Sequence, residues 1–468
     1  MSNTITTQPA HKNTHFAPNL VAKYNTQGPR YTSYPTALKF NDDFTIANYD
    51  YYLNQARNTP SPLSLYVHLP FCRWLCYYCG CNKIVTKKPG VAREYLTHLA
   101  KEIELLAKRV GKTRKVSQLH FGGGTPTYLD DGELTELIHL LARHFNFDDS
   151  KQREFSIEID PRTVNSDRLA LLRGLGFNRL SFGIQDTDPE VQRAINRLQR
   201  TEKIAELVSS ARLYRFSSIS FDLIYGLPQQ NSETLARTLD DVITLLPDRI
   251  SLYNYAHLPK QFPPQRAIGR HTLPSAAEKL TMLLLATEKL IDAGYIYIGM
   301  DHFVRPEDEL AQSQKAGQLQ RNFQGYSTRL ASDVLGIGVS AISSIGDCYA
   351  QNSKDLASYY QKLASGELPL QRGLVKTPED RLRAYIIMAL ACNLCVSTLH
   401  FTRQFHISFW EKFADLLPQL EDMQKDGLLT LSPDAIHVTP AGRMMLRNIC
   451  MVFDQYSSKN NTSYSKTL

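Results

Sequence analysis

Between residues 64 and 255, six short apolar runs are interspersed with six amphipathic helical patterns. The apolar runs are Ser64–Pro70, Val116–Phe121, Glu154–Asp160, Arg179–Gln185, Ile219–Tyr225 and Arg249–Tyr255. Helical spacing follows at Val91–Arg109, Asp131–His144, Ser166–Leu175, Pro189–Asn196, Glu202–Leu213 and Ser232–Leu246. Repeated strand–helix units demand a parallel sheet with right-handed crossovers. The expected fold is α/β: a partial (β/α)6 barrel of parallel strands, with its reactive loops after the C-terminal strand ends.

The loop after the first strand is the most unusual. Cys72, Cys76 and Cys79 stand in a C-x3-C-x2-C spacing, with Cys81 two residues later. Several thiolates on one tight loop suit zinc or iron–sulfur chemistry. Structural zinc usually takes two cysteine pairs separated by a longer insert, or cysteines with histidines. No second pair of that kind follows nearby. Three cysteines fill three corners of a cubane cluster and leave the fourth iron open to a substrate.

Other strand ends carry polar groups toward the same side. Gly122–Thr127 (Gly-Gly-Gly-Thr-Pro-Thr) follows the second strand, and its bare backbone offers N–H and C=O groups to a ligand. The third strand ends in Glu158 and Asp160, the fourth in Gly183–Asp186, followed by Arg193 and Arg197. The fifth carries Asp222 and the sixth ends in Asn254–Pro259. Each alone reads better as a capped turn or surface ion pair; together they favour a site. Tyr295–Phe303 reads as a further strand, while Arg321–Tyr326 and Leu335–Ser343 read as loops.

Composition closes off several classes. The 468-residue chain is 43% hydrophobic and 21% charged, an ordinary globular balance. Its net charge of +7 comes without long basic runs, so nucleic acid is not implied, and it fits an acidic small substrate. Met1–Phe16 has no apolar core, and no apolar run reaches the roughly 18 residues of a membrane helix. The remaining cysteines, Cys348, Cys392, Cys395 and Cys450, are sparse, which implies a reducing, cytoplasmic setting. Domains are expected as a flexible tail 1–23, an arm and helix 24–60, the barrel with its extension 61–365, a mostly helical domain 366–456, and a disordered tail 457–468. In the last domain Thr377-Pro-Glu-Asp380 opens a helix. Phe409–Asp426 and Pro440–Phe453 read as helices around a hairpin of Gly427–Leu431 and Ala435–Val438, a winged-helix-like set. That stretch is not densely basic, which favours a cap on the barrel over a DNA-binding role.

The Cys72-x3-Cys76-x2-Cys79 loop, with aromatic Tyr78 before the last cysteine, resembles the radical S-adenosylmethionine (SAM) signature. A closer resemblance spans about Tyr24 to Phe453, to the oxygen-independent coproporphyrinogen III oxidases (dehydrogenases) of bacterial heme biosynthesis. It rests on Gly28–Ala37, Cys79–Lys83, Gly122–Thr127, Gly183–Asp186, Asp222–Pro228, Asn254–Pro259, Gly299–Phe303 and Arg321–Tyr326. The resemblance implies one 4Fe–4S cluster on Cys72, Cys76 and Cys79, and two SAM molecules. Tyr66, Gly123, Glu158 and Ile342 match positions around the cluster-bound SAM. Tyr78, Gly124, Thr125, Gln185, Arg197, Asp222 and Ala256 match positions around the second. Tyr66 and Cys81 are the candidate catalytic residues, with Cys81 outside the three-ligand set.

The implied reaction is oxidative decarboxylation of two propionates of coproporphyrinogen III to vinyl groups, giving protoporphyrinogen IX. A 5′-deoxyadenosyl radical takes the hydrogen. Arg30, Arg193, Arg197 and Arg321 are candidates for holding propionates, because guanidinium pairs with carboxylate. The implied partners are a flavodoxin- or ferredoxin-type electron donor, no nucleic acid and no membrane span, with the chain a monomer. The rival reading is a heme chaperone of the same superfamily, which is typically aromatic at the Cys81 position and lacks the Pro29–Ala37 arm. A DNA-binding regulator would leave the barrel motifs without a purpose.

Overall fold

A computed structural model describes residues 20, 23–269, 272–328, 333–457, 464 and 466–467. The tail expected over 1–23 therefore falls almost wholly outside the described residues, as does most of 457–468. Within the latter, Lys466 bridges Gln27, and the Thr467 hydroxyl donates to the carbonyl of Tyr24 at 2.7 Å.

The chain forms two compact units. One contains Ala37–Ala286 and Arg329–Lys376; the other gathers the described residues up to Thr36, Thr287–Thr328 and those from Thr377 on. This cuts the chain differently from the sequence-based expectation. The arm up to Thr36 belongs with the C-terminal unit, while the helix Ile46–Arg57 belongs with the barrel.

The barrel unit contains the expected strands: β1 (Leu63–Leu69), β2 (Lys115–Gly123), β3 (Glu154–Ile159), β4 (Arg179–Gln185), β5 (Ser218–Tyr225) and β6 (Arg249–Asn254). All pair in parallel in the order β6-β5-β4-β3-β2-β1. Period-two alternation explains why. Leu65, Val67, Leu119, Phe121, Phe155, Ile157, Phe182, Phe221 and Leu223 turn to one face and are buried. Each such side chain contributes roughly 1.5–3 kcal/mol. Tyr66, His120, Ser156, Glu158, Ser181 and Asp222 alternate with them on the other face, less fully covered. The crossover helices start on side-chain caps: Asp130 with Glu133 before Asp131–His144, and Asn231 with Thr234 before Ser232–Leu245.

Beyond β1 the sheet continues where the sequence suggested a loop. Residues 333–352 form β7 (Asp333–Ile337), β8 (Ile342–Ile345) and β9 (Cys348–Asn352), followed by β10 (Leu370–Val375). β7 runs parallel to β1, and β8 to β10 follow antiparallel. β7 and β9 are buried almost throughout and so show no alternation, and β7 pairs with a strand some 270 residues earlier in the chain, at Leu63↔Asp333. Local pattern carried no trace of that partner.

The other unit holds the predicted helix Pro378–Asn393, capped by Thr377 and Asp380. Its small sheet has three strands rather than two, since Cys395–Ser397 joins the expected hairpin. The expected helix over 409–426 is broken into Phe409–Lys412 and Leu417–Lys425, where Pro418 opens a new first turn. The one over 440–453 breaks at Met445. Tyr295–Phe303 is a hairpin, Ile296–Gly299 with His302–Val304, and Arg321–Tyr326 lies in another, Gln320–Asn322 with Gly325–Ser327. Tyr31 and Tyr34 pin the arm within this unit: the Tyr31 hydroxyl donates to Asp454, and the Tyr34 hydroxyl accepts from the Gln455 amide. Among the described residues no helix is long and apolar enough to cross a membrane.

Candidate active site

The site lies within the barrel unit, at the C-terminal ends of β1 to β5. β1 delivers the chain through Pro70 into the cysteine loop, which a two-residue ladder closes: Phe71–Cys72 against Ile84–Val85. Cys72 and Cys76 are buried, Cys79 half-buried and Cys81 exposed. The Thr125 hydroxyl donates to Cys72 Sγ at 3.4 Å, and Arg197 Nη1 donates to Cys76 Sγ at 3.4 Å. Arg162 Nη2 lies 3.8 Å from the same sulfur. Burial pushes the Cys72 thiol up to about 11. A hydrogen bond with Cys81 draws Cys79 down to about 6, helped by Lys83, and the same contact pushes Cys81 up. Three thiols on one loop, two of them receiving hydrogen bonds and flanked by cations, fit an anionic iron–sulfur cluster, whose potential such bonds tune. Among the described residues no three His, Cys, Asp or Glu side chains are gathered as a mononuclear metal ion requires.

The glycine run serves this loop directly, which corrects the expectation that its N–H groups stay free. The Gly124 amide donates to Leu69 O and the Thr125 amide to Phe71 O, both at 2.9 Å. A Cβ at Gly124 would meet the Pro70 backbone at 2.6 Å, and one at Gly123 would meet the His68 ring at 2.6 Å. Gly123 also has φ +114° and gives its N–H to Glu158 at 3.1 Å. The glycines let the second strand end press against the cysteine loop.

Behind the loop lies a row of hydrogen-bonded groups. Tyr66 stacks on His120, which sits opposite it in the ladder, and His120 contacts Ser156 and Glu158. The Tyr66 hydroxyl meets His68 Nδ1 at 3.0 Å, and His68 Nε2 meets the Asn82 carbonyl at 3.0 Å. A carbonyl only accepts, so Nε2 carries the proton and Nδ1 accepts from Tyr66. Burial lowers the His68 pKa, keeping that imidazole neutral. Burial alone would raise Glu158, yet His120 and the Gly123 N–H outweigh it and hold the carboxylate below its usual range. Ile342 enters beside this row: its backbone packs on Gly336, the ladder partner of Tyr66.

A second group gathers at β4. Arg197 is buried, and its guanidinium reaches Cys76 Sγ, Asp160 at 3.1 Å and the Gly183 carbonyl at 2.6 Å. Its Nε remains without a partner, as does Oε1 of buried Gln185. Gln185 adopts φ 63°, the left-handed region that a non-glycine residue rarely enters. Asp222 accepts from Ser181 at 2.9 Å; burial, with Glu158 nearby, pushes it up to about 6. Gln265 Nε2 donates to both the Tyr78 and Ala256 carbonyls, tying those two residues together. An unpaired donor on Arg197 and an unpaired acceptor on Gln185 fit the carboxylate and ammonium of an amino-acid group, the end of SAM that needs both.

Every predicted cluster and SAM residue thus falls within this unit. Arg193 does not join them: it is an exposed partner of Glu190 on the outer helix. Sequence reading missed His68 and His120 as members of the site. The signal was present, since His68 lies two residues beyond Tyr66 and therefore shares its face of β1.

Comparison with known proteins bears directly on this geometry. Residues 66–242 match the radical SAM superfamily, and residues 377–445 match the HemN C-terminal domain. The cysteine loop and the barrel define a radical SAM enzyme, a class that implies a 4Fe–4S cluster and SAM. The chain is 48% identical to oxygen-independent coproporphyrinogen III oxidase of Pseudomonas aeruginosa over 451 residues, which are 96% of this chain and 98% of that protein. The enzyme of the same name from Escherichia coli is 49% identical over 437 residues, 93% of this chain and 94% of that one. A solved structure of coproporphyrinogen III oxidase (HemN) from Escherichia coli superposes with a TM-score of 0.90 at 47% identity, covering 96% of this chain and all of that one. The chain belongs to the oxygen-independent coproporphyrinogen III oxidase family.

Proposed function

We propose that this enzyme converts two propionate side chains of coproporphyrinogen III to vinyl groups, giving protoporphyrinogen IX. Each propionate loses a β-hydrogen and its carboxylate as CO2, and one further electron passes to an acceptor. The supporting observation is the sulfur loop backed by the open Gln185 Oε1 and Arg197 Nε, in a chain alike over nearly its whole length to relatives named for this substrate.

Cys72, Cys76 and Cys79 would hold the cluster, with Tyr66, Gly123, Glu158 and Ile342 around the SAM bound to it. Tyr78, Gly124, Thr125, Gln185, Arg197, Asp222 and Ala256 would hold a second SAM. When bound, cluster and SAM supply reductive cleavage of a sulfonium and removal of a hydrogen atom from substrate. The chain's own residues do the rest. Glu158, kept ionised, receives an ammonium group. Arg197 and Gln185 take the carboxylate and ammonium of the other amino-acid end. Neutral His68 fixes the Tyr66 hydroxyl without bringing a charge beside the cluster. A flavodoxin- or ferredoxin-type protein is the proposed electron donor to a monomeric, cytoplasmic enzyme.

The test is anaerobic incubation of the reconstituted protein with dithionite, SAM and coproporphyrinogen III. CO2 and a divinyl product are expected. SAM cleavage without product would replace this reading with the heme chaperone.

A further inference from the structure

Four arginines stand as candidates for holding substrate carboxylates, and their surroundings separate them. Arg193 is exposed and paired with Glu190. Arg197 is engaged by Asp160 and the loop sulfur. Arg30 pairs with Asp301 at 2.9 Å. Arg321 differs from all three. It is only 8% exposed, its Nε and Nη1 have no partner, and it makes no ion pair among the described residues.

What holds Arg321 is an aromatic face. Its guanidinium lies 4.6 Å above the Tyr326 ring, and the Tyr326 hydroxyl is anchored on the Ala391 carbonyl at 2.9 Å. Arg443 belongs to the same unit. One of its nitrogens donates to the Tyr297 carbonyl, while its buried Nε has no partner. The buried Gln324 amide nitrogen is also unpartnered. Burying a guanidinium with no counter-charge is strongly disfavoured, and a ring face offsets only part of that. A chain that keeps such a group oriented and unpaired keeps it for an anion.

We propose that Arg321, stacked on Tyr326, is the seat of a substrate propionate carboxylate, with Arg443 Nε and the Gln324 amide as supporting donors. The planar guanidinium of Arg321, with Nε and Nη1 unpartnered, has the donors a carboxylate takes. This rests on the substrate proposed above and adds the group that recognises its acidic side chains. Any carboxylate or phosphate small enough to enter shares the chemistry, so the test must separate porphyrin from free anion.

Anaerobic holoenzyme is titrated with coproporphyrin III, the fluorescent oxidised form, and with its tetramethyl ester. The wild type should favour the acid. Arg321→Met should lose roughly ten- to hundredfold in affinity for the acid, the range of one charge-assisted contact, with ester affinity unchanged. Arg321→Lys should fall between, keeping charge without the fork. The Arg321→Met melting temperature should stay level or rise, because an unpaired buried charge has gone. Millimolar acetate or inorganic phosphate should compete weakly with the wild type and not with Arg321→Met. Unchanged discrimination in Arg321→Met overturns the proposal. So does a lower melting temperature with acid and ester affinities falling together, which would mark a packing arginine. If Arg321→Met does not fold, the same comparison is read on Arg321→Lys. A wild type that discriminates acid from ester yet makes no divinyl product breaks the proposed reaction and leaves this seat standing.

Discussion

Two buried polar clusters in the barrel unit make opposite use of the same cost. Around Glu102, everything is paired. Its carboxylate accepts from the Gly338 amide at 2.8 Å, Asn352 at 2.6 Å and the Tyr359 hydroxyl at 2.5 Å. Tyr95 beside it donates to the His68 carbonyl and accepts from the Val339 amide. Around Gln185 and Arg197, an acceptor and a donor are left open, and the glutamine is held in a strained backbone conformation. Burial is as deep in both. Completeness separates them: a finished network specifies structure, and an unfinished one on a rigid sheet waits for a ligand.

The sharpest way to break this contrast is at the loop the second cluster supports. Cys76→Ala should abolish turnover, with loss of iron read by metal analysis and visible absorbance. Melting of the apoprotein should barely shift, because the Glu102 network is untouched. Glu102→Ala should do the reverse. It strands the Gly338 amide, Asn352 and Tyr359 in the interior and should destabilise by about 3–5 kcal/mol, as leaving several buried donors unsatisfied does. Denaturant unfolding measures it, and iron uptake at a permissive temperature should survive. Equal losses of iron in both variants would merge the two clusters into one.

The sequence disclosed these clusters unequally. The cysteine loop and the strand ends were legible, because thiol spacing is local and period-two alternation repeats in every strand. Glu102 was invisible. It sits on the buried face of the helix Val91–Val110, and its partners lie some 250 residues away at Asn352 and Tyr359. Asn352 ends β9 and Tyr359 lies on the helix Leu356–Ala364, and the neighbouring stretch Leu335–Ser343 was read as loop for the same reason. The purpose of Gly122–Gly124 was half legible: bare backbone was expected, but the group pressing on it is the protein's own loop. Open valences, as on Arg197 and Gln185, show only once every neighbour has been placed.

A pH titration sharpens the contrast further. Desolvation, opposed by Tyr359, Gly338 and Asn352, pushes Glu102 up to about 7 from its ordinary 4.5. A raised acid keeps its proton in the folded state while the unfolded chain has lost it. Stability is then fully present below pH 4.5 and falls as pH rises through 7, by about 3 kcal/mol in all. Asp186 and Asp222, both pushed up to about 6, act in the same direction. The quantity to measure is therefore the difference between wild type and Glu102→Gln across pH 4.5 to 8. That difference should shrink toward low pH, and a flat one would mean Glu102 is ionised throughout.

The smallest effect is the most discriminating. Gln185→Leu removes the unpaired acceptor and keeps the side-chain bulk and the same backbone demand, since neither residue is β-branched. If Gln185 serves structure, its loss should destabilise the fold, as any member of the Glu102 network would. If its Oε1 waits for an ammonium group, the fold should be unchanged or slightly more stable, because a buried acceptor that lacked a donor is gone. SAM binding should then weaken by roughly tenfold at one site only, the loss of about one charge-assisted hydrogen bond. Equilibrium titration of the holoenzyme with SAM reads this as two unequal steps, of which Gln185→Leu moves the weaker. Both steps moving together, or neither, would mean that the open valences at β4 do not mark a second SAM.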